Sequence, residues 1–255
     1  MKKLFAAVGV GGAKVDTVLV SSRVRPGEVV RGEVRIQGGA VDQDIEKVDV
    51  LLMAEVEQEA GDHEVRAAHP LRRYQVAGRL HVRAGQTLAL PFELLLPLET
   101  PVNNAQALTS PGFSGFGPQV RAAVWLHTDL AIASALDAKD RDFLDVLPLP
   151  QMERLIAAMA QLGFVHVSTD VEYGTAQCNG VASSVGCYQE FEFKPLQYGG
   201  GIKEVEITCI ARAEGVHVLL EMDRRFRGDS YRSLVMGPDW AQRNWVAELQ
   251  RVLQG

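Results

Sequence analysis

At 255 residues, with 47% hydrophobic and 23% charged side chains, the chain can bury a core of its own without a metal or disulfide staple. Its net charge of −6 argues against general nucleic-acid binding, which draws most of its affinity from neutralised phosphates. Three cysteines, Cys178, Cys187 and Cys209, form no C-x-x-C pair and leave one thiol over in any disulfide scheme, so reduced thiols in a cytoplasmic setting are expected.

The first ten residues are basic and then apolar. The apolar run is short, and charged Lys14 and Asp16 follow it closely, so a signal peptide is not expected. No run approaches the roughly 20 apolar residues of a spanning helix. Val15 to Ser21 reads as a β-branched strand, and Arg25-Pro26-Gly27-Glu28 as a turn. Val30, Gly32, Val34 and Ile36 then alternate with Arg31, Glu33 and Arg35, the pattern of a strand with one buried and one solvated face. Val48, Val50, Leu52, Ala54 and Val56 repeat it before a polar stretch from Glu57 to Arg66, read as a loop. Tyr74, Val76, Leu80 and Val82 supply two more short strands.

Leu88, Leu90, Phe92, Leu94 and Leu96 share one face of the next strand. Pro91 has no backbone donor and so belongs at an edge, a bulge or a strand start. A loop rich in Asn, Ser, Gly and Pro runs to Pro118, and alternation resumes at Val120, Ala122, Val124 and Leu126. Acidic residues Asp137, Asp140, Asp142 and Asp145 lead into Val146-Leu147-Pro148-Leu149-Pro150. Met152, Leu155, Ile156, Met159 and Leu162 then fall at helical spacing between Pro150 and Gly163. Period two returns at Val165 to Val171, at Phe191 and Phe193, at Val205 to Ala211 and at Val216 to Met222. The chain closes on an amphipathic helix predicted from Asp239, as its cap, to Leu253. Short alternating strands without βαβ spacing predict an antiparallel, mainly β protein.

The stretch Pro91-Phe92-Glu93-Leu94-Leu95-Leu96-Pro97, followed by the glycine-rich loop and a strand carrying Arg121, resembles the end of the N-terminal sandwich of arrestin-like proteins. In the second half Gln189-Glu190-Phe191-Glu192-Phe193-Lys194-Pro195, Glu204-Val205-Glu206 and Leu220-Glu221-Met222-Asp223-Arg224-Arg225 resemble blocks of the bacterial sporulation-control protein family, and the resemblance covers nearly the whole chain. It implies two arrestin-like antiparallel β-sandwich domains with an intervening and a C-terminal helix: 1–129, a linker strand and proline-rich junction over 130–150, and 151–255. It also implies a non-catalytic cytoplasmic regulator or scaffold acting through protein–protein interaction.

No catalytic, cofactor or metal constellation stands out. Gly9 to Lys14 looks like a phosphate loop but lacks both the following Ser or Thr and a helix. Gly112-Phe113-Ser114-Gly115-Phe116 is one glycine short of a nucleophile elbow. The six histidines have no ligand spacing, and the aspartates after Ala133 lack the glycine and terminal Glu of a calcium loop. Two charged sets remain. Arg23, Arg25, Arg31 and Arg35 form a candidate patch for an anionic partner, lipid or phosphorylated, against which stands the reading of a solvated face. Glu190, Glu192, Asp223, Arg224 and Arg225 form a candidate protein-contact face; if their strands share a sheet, one acid of the first block should stand near Arg224 or Arg225. Other proteins are thus the expected partners, a second copy of the chain among them, with no nucleic acid and only weak membrane contact through Lys2, Lys3, Phe5 and the first arginines. The rival readings are a ligand-binding or hydrolytic β-sandwich enzyme with a site built from distant loops, and a peripheral membrane adaptor.

Overall fold

A computed structural model describes residues 12–61, 63–113, 117–133, 136–197, 201–225 and 228–254. Lys2, Lys3, Phe5, the first half of the phosphate-loop lookalike and the serine of the elbow-like motif lie outside the described residues. The chain divides into two compact units, and neither is a continuous stretch. The first comprises 1–54, 69–96 and 124–145; the second comprises 55–68, 97–123 and 146–255. The mainly β class expected from the sequence is the class observed.

The first unit holds a three-stranded antiparallel sheet in the order β1 (Lys14–Leu19), β3 (Val29–Gln37), β7 (Thr87–Leu95). β2 (Arg23–Val24) lies between the first two in sequence. Val30, Val34 and Ile36 of β3 and Phe92 and Leu94 of β7 are buried, while Arg31, Arg35 and Glu93 face out, as alternation dictates. β7 is an edge of this sheet, which is where Pro91, opposite Glu33, can be tolerated. A second layer comes from the first part of β4 (Gln43–Ala60), flanked by β6 (Leu80–Val82) and by β9 (Val124–Ile132), which in turn pairs with β10 (Ala138–Phe143). Val48, Val50, Leu52, Leu126 and Leu130 of that layer are fully buried. The two layers are tied by the buried hydroxyls of Thr17 on β1 and Thr128 on β9, 2.6 Å apart. The stretch 130–150, which the sequence marks as a junction, carries the end of β9, all of β10 and β11 (Asp145–Val146). The polar stretch from Glu57 to Arg66 is not a loop: β4 runs through Ala60 and β5 (His63–Ala77) begins two residues after Gly61. Charged side chains fill both faces there, so no apolar alternation betrays the hairpin.

The second unit is built on five antiparallel strands in spatial order β12 (Phe164–Tyr173), β15 (Cys187–Pro195), β16 (Ile202–Arg212), β17 (Gly215–Arg224) and β18 (Gly228–Met236). The short β8 (Gln119–Arg121) runs parallel to β12, and a small hairpin joins β13 (Gln177–Cys178) to β14 (Val181–Ala182). The helix expected after Pro150 is α1 (Pro150–Gln161), closed by Gly163 at φ 83°. Its buried Met152, Leu155 and Ile156 lie over Phe191, Phe193 and Ile207 of the inner sheet face. The C-terminal helix α2 (Trp245–Gln254) starts later than the sequence suggested. Asp239 makes no side-chain cap and leads only into a single 3₁₀ turn, Trp240–Gln242. Asn244 supplies the cap instead, its Oδ1 accepting from Ala247 N at 3.2 Å. Trp245, Leu249 and Leu253 are the face it buries.

Candidate functional site

Strand register decides what stands together on the outer face of the second unit. Asp170 of β12 faces Glu190 of β15, and Glu192 faces Glu206 of β16. Glu206 faces Glu221 of β17, which faces Tyr231 of β18. The two glutamates expected on the outer face of β15 are therefore there. The expected arginine partners are not, because β16 lies between β15 and β17 and presents more acid. Asp223 joins this face at its far end, opposite Asp229 and beside Lys203 at 3.0 Å. Arg224 continues the opposite, inward face of Val218, Leu220 and Met222, and donates from Nη2 to Leu253 O at 2.8 Å. Arg225 lies just past the end of β17. The five residues proposed as one contact face are thus divided: three acids on the outer face, Arg224 on the inner one, Arg225 beyond the strand.

Like charges directly opposite one another across a sheet repel. At the ends of the face the repulsion is answered by Lys194, which bridges Glu192 at 2.5 Å and Glu204 at 3.3 Å. On the other flank Arg66 pairs with Glu57 and, at 3.1 Å, with Glu55, while Arg121 approaches Asp170 at 3.6 Å. Between these flanks, among the described residues, no Lys or Arg stands within ion-pair distance of Glu190, Glu206 or Glu221. Glu190 is pushed up to about 8 by burial and then by Glu206, Glu172 and Glu221. Glu206 is pushed up to about 7 by burial and then by Glu221. Tyr231 donates to Glu221 at 2.6 Å, and Tyr188 flanks the same carboxylates. Together with Leu219 and Thr208 these side chains line a groove of about 190 Å³.

These shifts fix a pH dependence. A carboxyl whose folded pKa lies above its unfolded one contributes stability that is full at low pH and is lost as pH rises through the folded value. The unfolded value is near 4.5, so the loss for Glu206 and Glu190 is completed across about 7 to 8. Burial lowers the His166 pKa, an opposite effect that sets in only below about 6.5. Melting temperature should therefore rise as the pH is taken from 8 to 7. Glu190→Gln with Glu206→Gln should flatten that slope and stabilise the protein at pH 8. A double variant with the parent's slope in a thermal melt would show that these two carboxyls do not carry it.

The first arginine set is not a free cationic patch. Arg23 pairs with Asp145 at 2.8 Å, Arg31 with Glu93 at 2.8 Å and Arg35 with Glu33 at 2.6 Å, and the Arg25 backbone N donates to Glu28 at 2.8 Å. This is an exposed strand face whose charges are locally matched. Cys178 packs with Ala176 and Ile210, whereas Cys187 lies near Glu99 with its thiol pushed up to about 12 by burial. All three cysteines are free. Of the aspartates after Ala133, Asp140 accepts from Thr17 N at 2.6 Å, and Asp142 is pushed up to about 6 by burial and by Asp140 and Asp16. Among the described residues no group of three or more His, Cys, Asp or Glu is arranged to hold a metal ion. Nor, among them, is any helix long and apolar enough to cross a membrane.

A family model described as SpoOM protein matches residues 1–226. This chain belongs to the SpoOM family. The sporulation-control protein spo0M of Bacillus subtilis (strain 168) is 31% identical over 229 residues, which span 89% of this chain and 81% of that relative. The crystal structure of Spo0M, a sporulation control protein from Bacillus subtilis, superposes with a TM-score of 0.79 at 26% identity, covering 96% of this chain and 99% of that one. In this SpoOM-family chain the carboxylates of β12, β15, β16 and β17 lie inside the residues the family model matches, whereas β18, with Tyr231, and α2 lie beyond them.

Proposed function

We propose that this SpoOM-family chain is a non-catalytic cytoplasmic regulator or scaffold that binds a partner protein through the acidic outer face of its second unit. The observation that carries the reading is the unmatched set of Glu190, Glu206 and Glu221 around one groove, with Glu206 directly opposite Glu221 and Glu190 opposite Thr208 on the same face, bordered by Tyr188 and Tyr231. Stability is a poor reason to place them so, since each like-charge pair across a sheet costs roughly 0.2 to 1 kcal/mol. A basic segment of a partner would relieve that repulsion on docking, and tyrosines are the side chains that interfaces favour beside such charges. The Bacillus relative is named for sporulation control, and control exercised by binding is what we carry over to this chain.

The test is affinity capture from extract of the native organism at pH 8, comparing the parent with the Glu190→Gln, Glu206→Gln, Glu221→Gln variant and with Arg31→Glu as a control on the matched first-unit face. The acidic-face variant should lose at least one specific partner that the control retains. If the folded triple variant captures the same proteins as the parent, the acidic face is not the contact.

A further inference from the structure

A cavity of about 740 Å³ in the second unit opens on the side of the sheet away from the acidic face. Its lining is mixed: an apolar part formed by Leu162 and Phe164 at the passage from α1 to β12, Leu196 after β15, Ile202 at the start of β16 and Leu253 of α2, and a polar part formed by Gln197, Gln250 and Gln254. Its volume falls in the range of small-molecule sites. Arg224 is the one charged side chain among the described residues lining it. A guanidinium carries five N–H donors, and here Nη2 alone has an oxygen acceptor, Leu253 O, with Met222 Sδ at 3.7 Å as its other neighbour. No carboxylate among the described residues stands within ion-pair distance of Arg224. A half-buried cation with unused donors, set beside a run of apolar wall and a few amide side chains, is complementary to an anionic head on an apolar chain, and the planar fork of arginine matches a carboxylate with two parallel hydrogen bonds.

We propose that this cavity binds a fatty carboxylate, the acyl chain lying along Phe164, Leu196, Ile202 and Leu253 and the carboxylate paired with Arg224. The site is separate from the protein-contact face, and its presence or absence leaves that reading untouched. Dodecanoate below its micellar concentration, titrated into the full chain by calorimetry and by amide chemical-shift mapping, should bind saturably and perturb residues 162–164, 195–197 and 250–254. Dodecyltrimethylammonium, with the same chain and the opposite head charge, should bind at least tenfold more weakly. Arg224→Gln should weaken dodecanoate at least tenfold, and Leu196→Glu, which sets a carboxylate on an exposed part of the wall, should do the same without touching the arginine. Circular dichroism checks that both variants are folded. Equal binding of the two amphiphiles, undiminished dodecanoate binding in both folded variants, shifts confined to other residues, or no saturable binding would each overturn the proposal.

Discussion

Phe92→Ala will lower the free energy of unfolding by about 3 to 5 kcal/mol, the cost of emptying a large aromatic site that cannot collapse. Phe92 is 7% exposed and lies on β7 directly opposite Gly32 of β3. The ring covers that glycine: a Cβ built on Gly32 would stand 2.7 Å from Phe92 Cζ and 2.6 Å from Val18 O. The site is thus closed on one side by backbone that has no side chain to fill a void. Gly32→Ala should be destabilising as well, since a methyl there must displace the ring or β1, and the two substitutions should not be additive because they share one space. Urea unfolding of the single and double variants measures both points. A loss below about 1 kcal/mol for Phe92→Ala would mean the ring is not part of the packed layer.

Glu99→Ala is expected to cost about 2 to 3 kcal/mol, for an electrostatic rather than a packing reason. The Glu99 side chain is 8% exposed and accepts from Arg212 Nη1 at 2.6 Å and from Ser184 Oγ at 2.5 Å, with Ser184 N at 3.1 Å. Removing it strands the Arg212 guanidinium, whose side chain is 23% exposed, among backbone carbonyls of Ala211 and Ala182. An uncompensated charge in a fully buried pair costs roughly 3 to 5 kcal/mol, and the partial exposure of Arg212 reduces that figure. Adding Arg212→Met to Glu99→Ala should recover part of the loss. If the double variant is less stable than Glu99→Ala in the same urea experiment, the pair is not the origin of the effect.

The elements best legible in the sequence are those with one dry face and one wet face. Leu88 to Leu96 gave away its buried side, and Pro91 its edge position, because period two and a missing N–H are local properties of the chain. The helix over Pro150–Gln161 was equally plain from its apolar spacing and its glycine stop. β18 escaped notice because an edge strand of Asp229, Ser230, Tyr231, Arg232 and Ser233 is exposed along most of its length and carries no alternation. The acidic site was half legible. Glu190 and Glu192 could be put on one face from their spacing, but their neighbours Glu206 and Glu221 are supplied by register between distant strands, which spacing does not encode. Parity along β17 sets Arg224 with Met222, on the face opposite Asp223, in the sequence and in the structure alike; what spacing does not encode is that β16 separates β15 from β17 and keeps either arginine from the acids of β15. The polar cap of α2 was misplaced by five residues because Asp239 and Asn244 are both good cap types and only the backbone chooses between them.

The interleaving of the two units along the chain bears on how the protein is made. Synthesis delivers β3 and β7, with the apolar faces of Val34, Ile36, Phe92 and Leu94, well before residues 124–145 bring β9 and β10 to the same unit. The segments 55–68 and 97–123 likewise emerge ahead of nearly everything else in the second unit. A nascent chain that has reached the middle of its length therefore displays sticky strands from both units and can complete neither. Holding by a chaperone during translation should improve its yield, and gene fragments cut near residue 123, which lack β9 and β10, should give insoluble product.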